Sequence, residues 1–159
     1  MEKTEAITLK LLTKTYIDDL NQFELPEEQH QFTALPHEIS DLTEGQYGVM
    51  IMNGEEPVGF FLLHQTDRVK EYSANHKAIL LTALSINQVH QRKGYARKGM
   101  TLLKDFIQDV FPECDEIILA VNHKNIPAQK LYHNVGFADT GKRKEGPKGE
   151  QFIMALQVF

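Results

Sequence analysis

The densest chemistry in this sequence lies in Leu84-Ser-Ile-Asn-Gln-Val-His-Gln91-Arg-Lys-Gly94-Tyr-Ala96-Arg-Lys-Gly99-Met100-Thr101. Small residues at 94 and 96 let a backbone come close to a ligand. A helix beginning there offers unpaired N–H groups and a positive dipole end, which together make an anion site. Arg92, Lys93, Arg97 and Lys98 add four positive side chains. A solvated basic helix start is the bland reading of the same residues. Gly94 to Thr101 fits the phosphate loop Gly-x4-Gly-Lys-Ser/Thr except that Met100 stands at the lysine position, which disfavours a nucleotide triphosphatase. Gly94-x-Ala96-x-x-Gly99 approximates a dinucleotide fingerprint, but its loop starts too far past the strand and the chain is too short for two mononucleotide halves.

Other catalytic constellations fail. There is no Gly-x-Ser-x-Gly elbow and no His-Glu-x-x-His pair, and the seven histidines, at 30, 37, 64, 76, 90, 123 and 133, are scattered. Metal chemistry is not expected. The single cysteine, Cys114, has no sequence-near histidine and reads as inert. The run Lys142-Arg143-Lys144 reads as a solvated hairpin.

The elements that must position these residues alternate between strand and helix. Ile7, Leu9 and Leu11 alternate with polar residues as a half-buried strand, and Tyr16 to Phe23 and Glu27 to Leu35, split by Pro26, read as two short helices. Tyr47 to Met52 and Val58 to His64 flank an Asn53-Gly54 turn, a hairpin; Thr66 to Lys77 is polar and reads as a loop. Ile79 to Ile86 is continuously apolar, a strand buried on both faces. Ala96, Met100, Leu103, Ile107 and Val110 recur at helical spacing until Pro112, giving one amphipathic helix. Glu116 to Val121 is another buried strand. Asn125-Ile126-Pro127 opens a helix with Ala128, Leu131, Tyr132 and Val135 on one face and Gly136 to end it. Thr140 to Gly149 reads as a basic loop before a closing strand, Phe152 to Phe159.

With 159 residues the chain is expected to form one domain over 1–159, large enough for a core without disulfide or metal staples. Its 17 basic and 22 acidic residues give a net charge of −5, so no global basic field draws nucleic acid. No apolar run approaches the ~20 residues of a membrane helix, and the N-terminus resembles neither a signal nor a transit peptide, so a cytoplasmic protein without a membrane partner is expected. A homodimer stays open.

Gln91-Arg-Lys-Gly94-Tyr-Ala96 resembles the Gln/Arg-x-x-Gly-x-Gly/Ala signature of the GNAT family of acyl-CoA-dependent N-acyltransferases. Asn125-Ile-Pro-Ala128-Gln-Lys-Leu131-Tyr132-His-Asn-Val-Gly136-Phe137 resembles that family's Asn-x-x-Ala-x-x-Leu-Tyr-x-x-x-Gly-Phe run. The resemblance implies an α/β (α+β) fold with a mixed, mostly antiparallel central sheet of six to seven strands flanked by about four helices. It implies that acetyl-CoA is the cosubstrate and that its acetyl group passes directly to a primary amine in a ternary complex. Backbone N–H groups among Gln91, Arg92, Lys93, Gly94, Tyr95, Ala96, Arg97 and Lys98 would hold the pyrophosphate. The strand edge at Leu84 and Ile86 would pair with the pantetheine arm, Asn125 would bond that arm from the other side, and Tyr132 would protonate the leaving thiolate. By spacing alone Tyr132 is a core aromatic and Asn125 a helix cap.

A lysine-like amine at pH 7 lies roughly three units below its pKa, a cost of about 4–5 kcal/mol, so a base is expected. Family members place a glutamate on the strand matching Ile79 to Ile86, which here has no ionisable group. Glu71, His64, His90 and His123 are the candidates. Acids at Asp18, Asp19, Glu24, Glu27 and Glu28 favour a small cationic acceptor, polyamine-like, with a peptide amine as the other choice. A non-catalytic acyl-CoA-binding module on the same fold is the alternative reading.

Overall fold

The computed structural model describes residues 6–38 and 42–158. Seven strands, β1 (Ile7–Leu11), β2 (Gln46–Asn53), β3 (Glu56–His64), β4 (Ala78–Ile86), β5 (Glu116–Asn122), β6 (Ala138–Gly146) and β7 (Gly149–Gln157), form one sheet in the order β1-β2-β3-β4-β5-β7-β6. Every neighbouring pair is antiparallel except β4 and β5, which run parallel. The β2–β3 hairpin turns at Gly54, whose φ of +62° is the conformation a two-residue loop needs in its first position.

Helices α1 (Ile17–Asn21), α2 (Tyr95–Thr101), α3 (Leu103–Val110) and α4 (Ile126–Asn134) cover the sheet. Tyr95, Met100, Leu103, Ile107 and Tyr132 pack over Ile51, Phe61, Ile79 and Ile117 on one face. On the other, Leu20, Phe23, Leu25 and Leu35 cover Met50, Phe60 and Leu62, while Val69 and Tyr72 cover Leu80 and Ile118. Thus Ile79 and Leu80 point into different clusters, as a strand apolar at every position requires. Among the described residues no helix is long and apolar enough to cross a membrane.

Five elements differ from the sequence reading. The expected basic loop at Thr140 to Gly149 is mostly strand: β6 is an edge strand, exposed at nearly every position, so it has no apolar alternation, and its charges suit an edge that must not pair with other chains. The last strand runs Gly149–Gln157, starting before Phe152 and stopping short of Val158, and Phe159 lies outside the described residues. The helix expected over Glu27 to Leu35 is a single 3-10 turn, Glu27–Gln29, because Pro26 is extended and His30 Nε2 bonds the carbonyl of Leu25 at 3.0 Å. The expected 96–110 helix breaks at Leu102, whose N–H bonds to Gly99 O. There Thr101 Oγ1 donates back to Arg97 O at 2.7 Å, a bond that bends helices, and Gly99 sits so close to β2 that a Cβ would meet Ile51 Cδ1 at 2.7 Å. The Thr66 to Lys77 loop contains a 3-10 turn at Asp67–Glu71.

Candidate active site

The parallel pairing of β4 with β5 lasts three residues and ends at Leu80 with Ile118. Beyond it β5 stays registered on β7 as far as Asn122 with Gln151. β4 follows β3, but a bulge carries the pairing from Leu62–Thr82 to Phe60–Ser85, with Ala83 at φ +58°. A bulge adds bend and twist to its strand, so β4 and β5 diverge. The wedge between them opens a cleft of about 940 Å³.

Of the residues singled out in the sequence, Leu84, Ile86, Gln91, Arg92, Gly94, Tyr95, Ala96, Asn125 and Tyr132 line this cleft. Lys93, Arg97 and Lys98 are exposed and outside its lining. Arg97 instead borders a separate hollow of about 760 Å³ with Lys104 and Asp139. The cations at the cleft are Arg92 with Lys124 and Lys148, the last two missed in the sequence because they follow β5 and precede β7 rather than belonging to the basic cluster.

The loop before α2 is bent by two left-handed residues, Arg92 at φ +66° and Gly94 at +80°. For arginine this conformation costs about 1–2 kcal/mol, while alternating handedness turns successive N–H groups towards one concavity. A Cβ at Gly94 would meet nothing within 4 Å, so the space before the helix is open. Gln91 is held rather than free: Nε2 donates to Ile86 O at 2.9 Å, and its amide pairs reciprocally with Gln29 at 3.0 and 3.2 Å. The Tyr95 ring is buried and its hydroxyl accepts from Asn53 Nδ2 at 3.1 Å.

Across the wedge, Asn125 caps α4, its Oδ1 accepting from Ala128 N at 3.3 Å, which leaves Nδ2 to offer a ligand. Gln129 ties α4 to β5 through the carbonyls of Asn122 and His123. The Tyr132 ring is buried edge-on to Phe137, and burial raises its phenol above the usual tyrosine range, so it stays protonated. A phenol held in that state can donate a proton but cannot accept one.

Among the four base candidates only His90 lines the cleft, with Nε2 2.8 Å from Glu56 Oε1. Glu71 is paired with Lys144 Nζ at 3.4 Å, and His123 Nδ1 lies 2.9 Å from Glu150 O. His64 is buried behind Thr82, and burial together with Arg68 holds it down to about 4. Of the five acids, Glu28 alone is among the lining residues. Two buried hydroxyls in the lining, Ser85 Oγ and Thr33 Oγ1, have no hydrogen-bond partner. An open backbone cradle, an unpaired strand edge and orphaned hydroxyls fit a long polar ligand with an anionic end.

A model of the acetyltransferase (GNAT) family matches residues 10–137. The chain is 44% identical to the uncharacterized N-acetyltransferase YbbJ of Bacillus subtilis (strain 168) over 155 residues, covering 95% of this chain and 97% of that one. Its fold is similar to that of AAC(6')-Ib solved with ribostamycin and coenzyme A, at TM-score 0.76 and 17% identity, covering 96% and 94% of the two chains. It is also similar to that of the ribosomal-protein-S18-alanine N-acetyltransferase from Escherichia coli, at TM-score 0.67, 18% identity and the same coverage. At these identities the two structures speak for the fold.

Proposed function

The chain belongs to the acetyltransferase (GNAT) family, and on that premise we propose that it carries acetyl-CoA in the β4–β5 wedge and transfers the acetyl group to a cationic primary amine. The observation that carries this reading is the wedge itself. A strand edge freed beyond Leu80, the turned loop 91–94 and a protonated buried tyrosine border one cleft.

Acetyl-CoA supplies an activated acyl group as a thioester. The N–H groups of the loop and of the first turn of α2, with Arg92, Lys124 and Lys148, hold its phosphates. The edge of β4 at Leu84 and Ile86 bonds the amides of the arm as a neighbouring strand would, and Asn125 donates from Nδ2. Gln91 acts by holding Ile86 and Gln29 in place. The amine attacks as its neutral form; Tyr132 gives its proton to the departing thiolate, which at a thiol pKa near 8.5 leaves more readily when a donor stands beside it, and the proton shed by the acylated nitrogen restores the phenol.

The acceptor enters past residues 26–33, where Glu28 favours positive charge. Solved structures of this fold include an aminoglycoside acetyltransferase with kanamycin and the ribosomal-protein-S18-alanine N-acetyltransferase, whose names point to amine acceptors. We place the reaction in the cytoplasm. At 100 times its dissociation constant acetyl-CoA should stabilise the protein by ~2.7 kcal/mol, and pantetheine much less. Equal shifts would remove the pyrophosphate assignment. Thiol release with polyamines, aminoglycosides and peptides then identifies the acceptor, and a preference for cationic amines should weaken as salt screens Glu28.

A further inference from the structure

Thr82 lines the cleft two residues beyond the last β4–β5 pair. Behind it, Nε2 of His64, at the end of β3 and only 1% exposed, lies 2.6 Å from Thr82 Oγ1. Nδ1 of the same ring lies 3.5 Å from Gln46 Nε2. Gln46 Oε1 accepts from the Thr43 backbone N–H at 2.9 Å and from Thr43 Oγ1 at 3.0 Å.

Direction along this chain follows from what each group can do. A backbone N–H only donates, so the Gln46 oxygen must face Thr43 and its NH2 must face His64. An NH2 also only donates, so Nδ1 accepts and the ring proton sits on Nε2. That proton is donated to Thr82 Oγ1, and the hydroxyl hydrogen of Thr82 must point elsewhere. No acceptor meets it among the described residues, and its open side is the cleft. Burial and Arg68 keep His64 neutral down to about pH 4, so the direction holds at working pH.

We propose that the Thr82 hydroxyl donates a hydrogen bond to the carbonyl oxygen of the bound thioester, with His64 and Gln46 as the positioning residues that aim it. The assignment rests on the acyl-CoA reading above. With the phosphates at the α2 loop and the arm along Ile86 and Leu84, the acyl end runs towards Thr82. A donor fixed in place before the reaction costs no reorganisation as charge gathers on that oxygen, and removing one such donor typically lowers turnover ~10²–10³-fold. No covalent bond to hydrogen breaks at Thr82. The reverse polarity, in which Thr82 passes a proton to His64, needs an unprotonated Nε2 that Gln46 does not allow.

Infrared spectroscopy of acetyl-CoA labelled with carbon-13 at the thioester carbonyl, bound to the protein without acceptor, tests this. The carbonyl band should lie at lower wavenumber in the wild-type complex than in the Thr82→Val complex, and Thr82→Ser should keep the wild-type position. Gln46→Glu, whose carboxylate accepts from Nδ1 and makes Nε2 the acceptor, should lose the shift although Thr82 is intact. Turnover of Thr82→Val should fall ~10²-fold with KM for acetyl-CoA within about threefold. An unchanged band in Thr82→Val overturns the Thr82 contact, and an unchanged band in Gln46→Glu overturns its polarity. Failure of acetyl-CoA to bind the wild type overturns the acyl-CoA reading itself, and this assignment with it.

Discussion

One wall of the cleft is made of residues from β4, the loop 87–94 and the start of α4. The other, residues 26–33, contains a single 3-10 turn and is fastened by a few polar contacts: Gln29 with Gln91, Gln88 N with Glu24 O at 2.8 Å, and Glu24 N with Asn87 Oδ1 at 3.0 Å. The first wall is built on β4, a strand of the central sheet. The second is tied to it by those polar contacts and anchored at its ends by Leu25 and Leu35. On the proposed function the cosubstrate would lie against the first wall and the acceptor would meet the second, so that one fold could keep its cosubstrate while its acceptor differs.

The comparison breaks most visibly at Tyr132. If Tyr132 has the proposed role, Tyr132→Phe should lower turnover ~10²-fold or more with acetyl-CoA affinity nearly unchanged, read by steady-state kinetics beside calorimetry, because a proton delivered only as the thiolate departs contributes nothing to binding. Unchanged turnover would return Tyr132 to packing against Phe137.

Gly94 tests the backbone wall. A branched residue at φ +80° is strained, so Gly94→Val should weaken acetyl-CoA binding on the order of 10–100-fold and erase the difference between coenzyme A and pantetheine in thermal shift. A retained difference would move the phosphate elsewhere.

The frame behind the cleft carries a pH signature. His64 has a folded pKa of about 4 against 6.5 unfolded, so between those values the unfolded chain binds the extra proton. Stability is therefore present above pH 6.5 and lost as pH falls towards 4, about 2 kcal/mol of it between pH 7 and 5. Urea unfolding at the two values should show that loss in the wild type, and His64→Gln should remove most of the slope.

The acceptor wall should respond least. Gln29→Leu removes one amide pair worth about 1 kcal/mol, so KM for the amine should rise ~3–10-fold while that for acetyl-CoA hardly moves. An equal rise in both would mean that the two walls are one unit.

Legibility in the sequence divides along the same line. Strands buried on both faces, the Asn-Gly hairpin and the Asn125-to-Gly136 helix announce themselves through periodicity and caps, because local chemistry and tertiary burial agree there. The sheet edge β6 does not, since a strand exposed at nearly every position carries no alternation. The 27–35 segment misleads because Leu35 reaches the core from irregular backbone. The motif residues of the cleft, Gln91, Arg92, Gly94, Tyr95, Ala96, Asn125 and Tyr132, are legible as parts of two runs. Lys124, Lys148 and the pair Thr82–His64 were not, because they meet only through strand register and the β6–β7 hairpin. Glu28 was one of five equivalent acids until the fold set it apart.

Hydrogen exchange tests the division of labour most directly. Acetyl-CoA alone should slow exchange at the amides of residues 84–86 and 92–98 and leave residues 27–35 as they were, with protection reaching 27–35 only when an amine is added. Protection that appears first in 27–35, or none at 84–86 and 92–98 under saturating acetyl-CoA, would contradict the placement of the cosubstrate in the β4–β5 wedge.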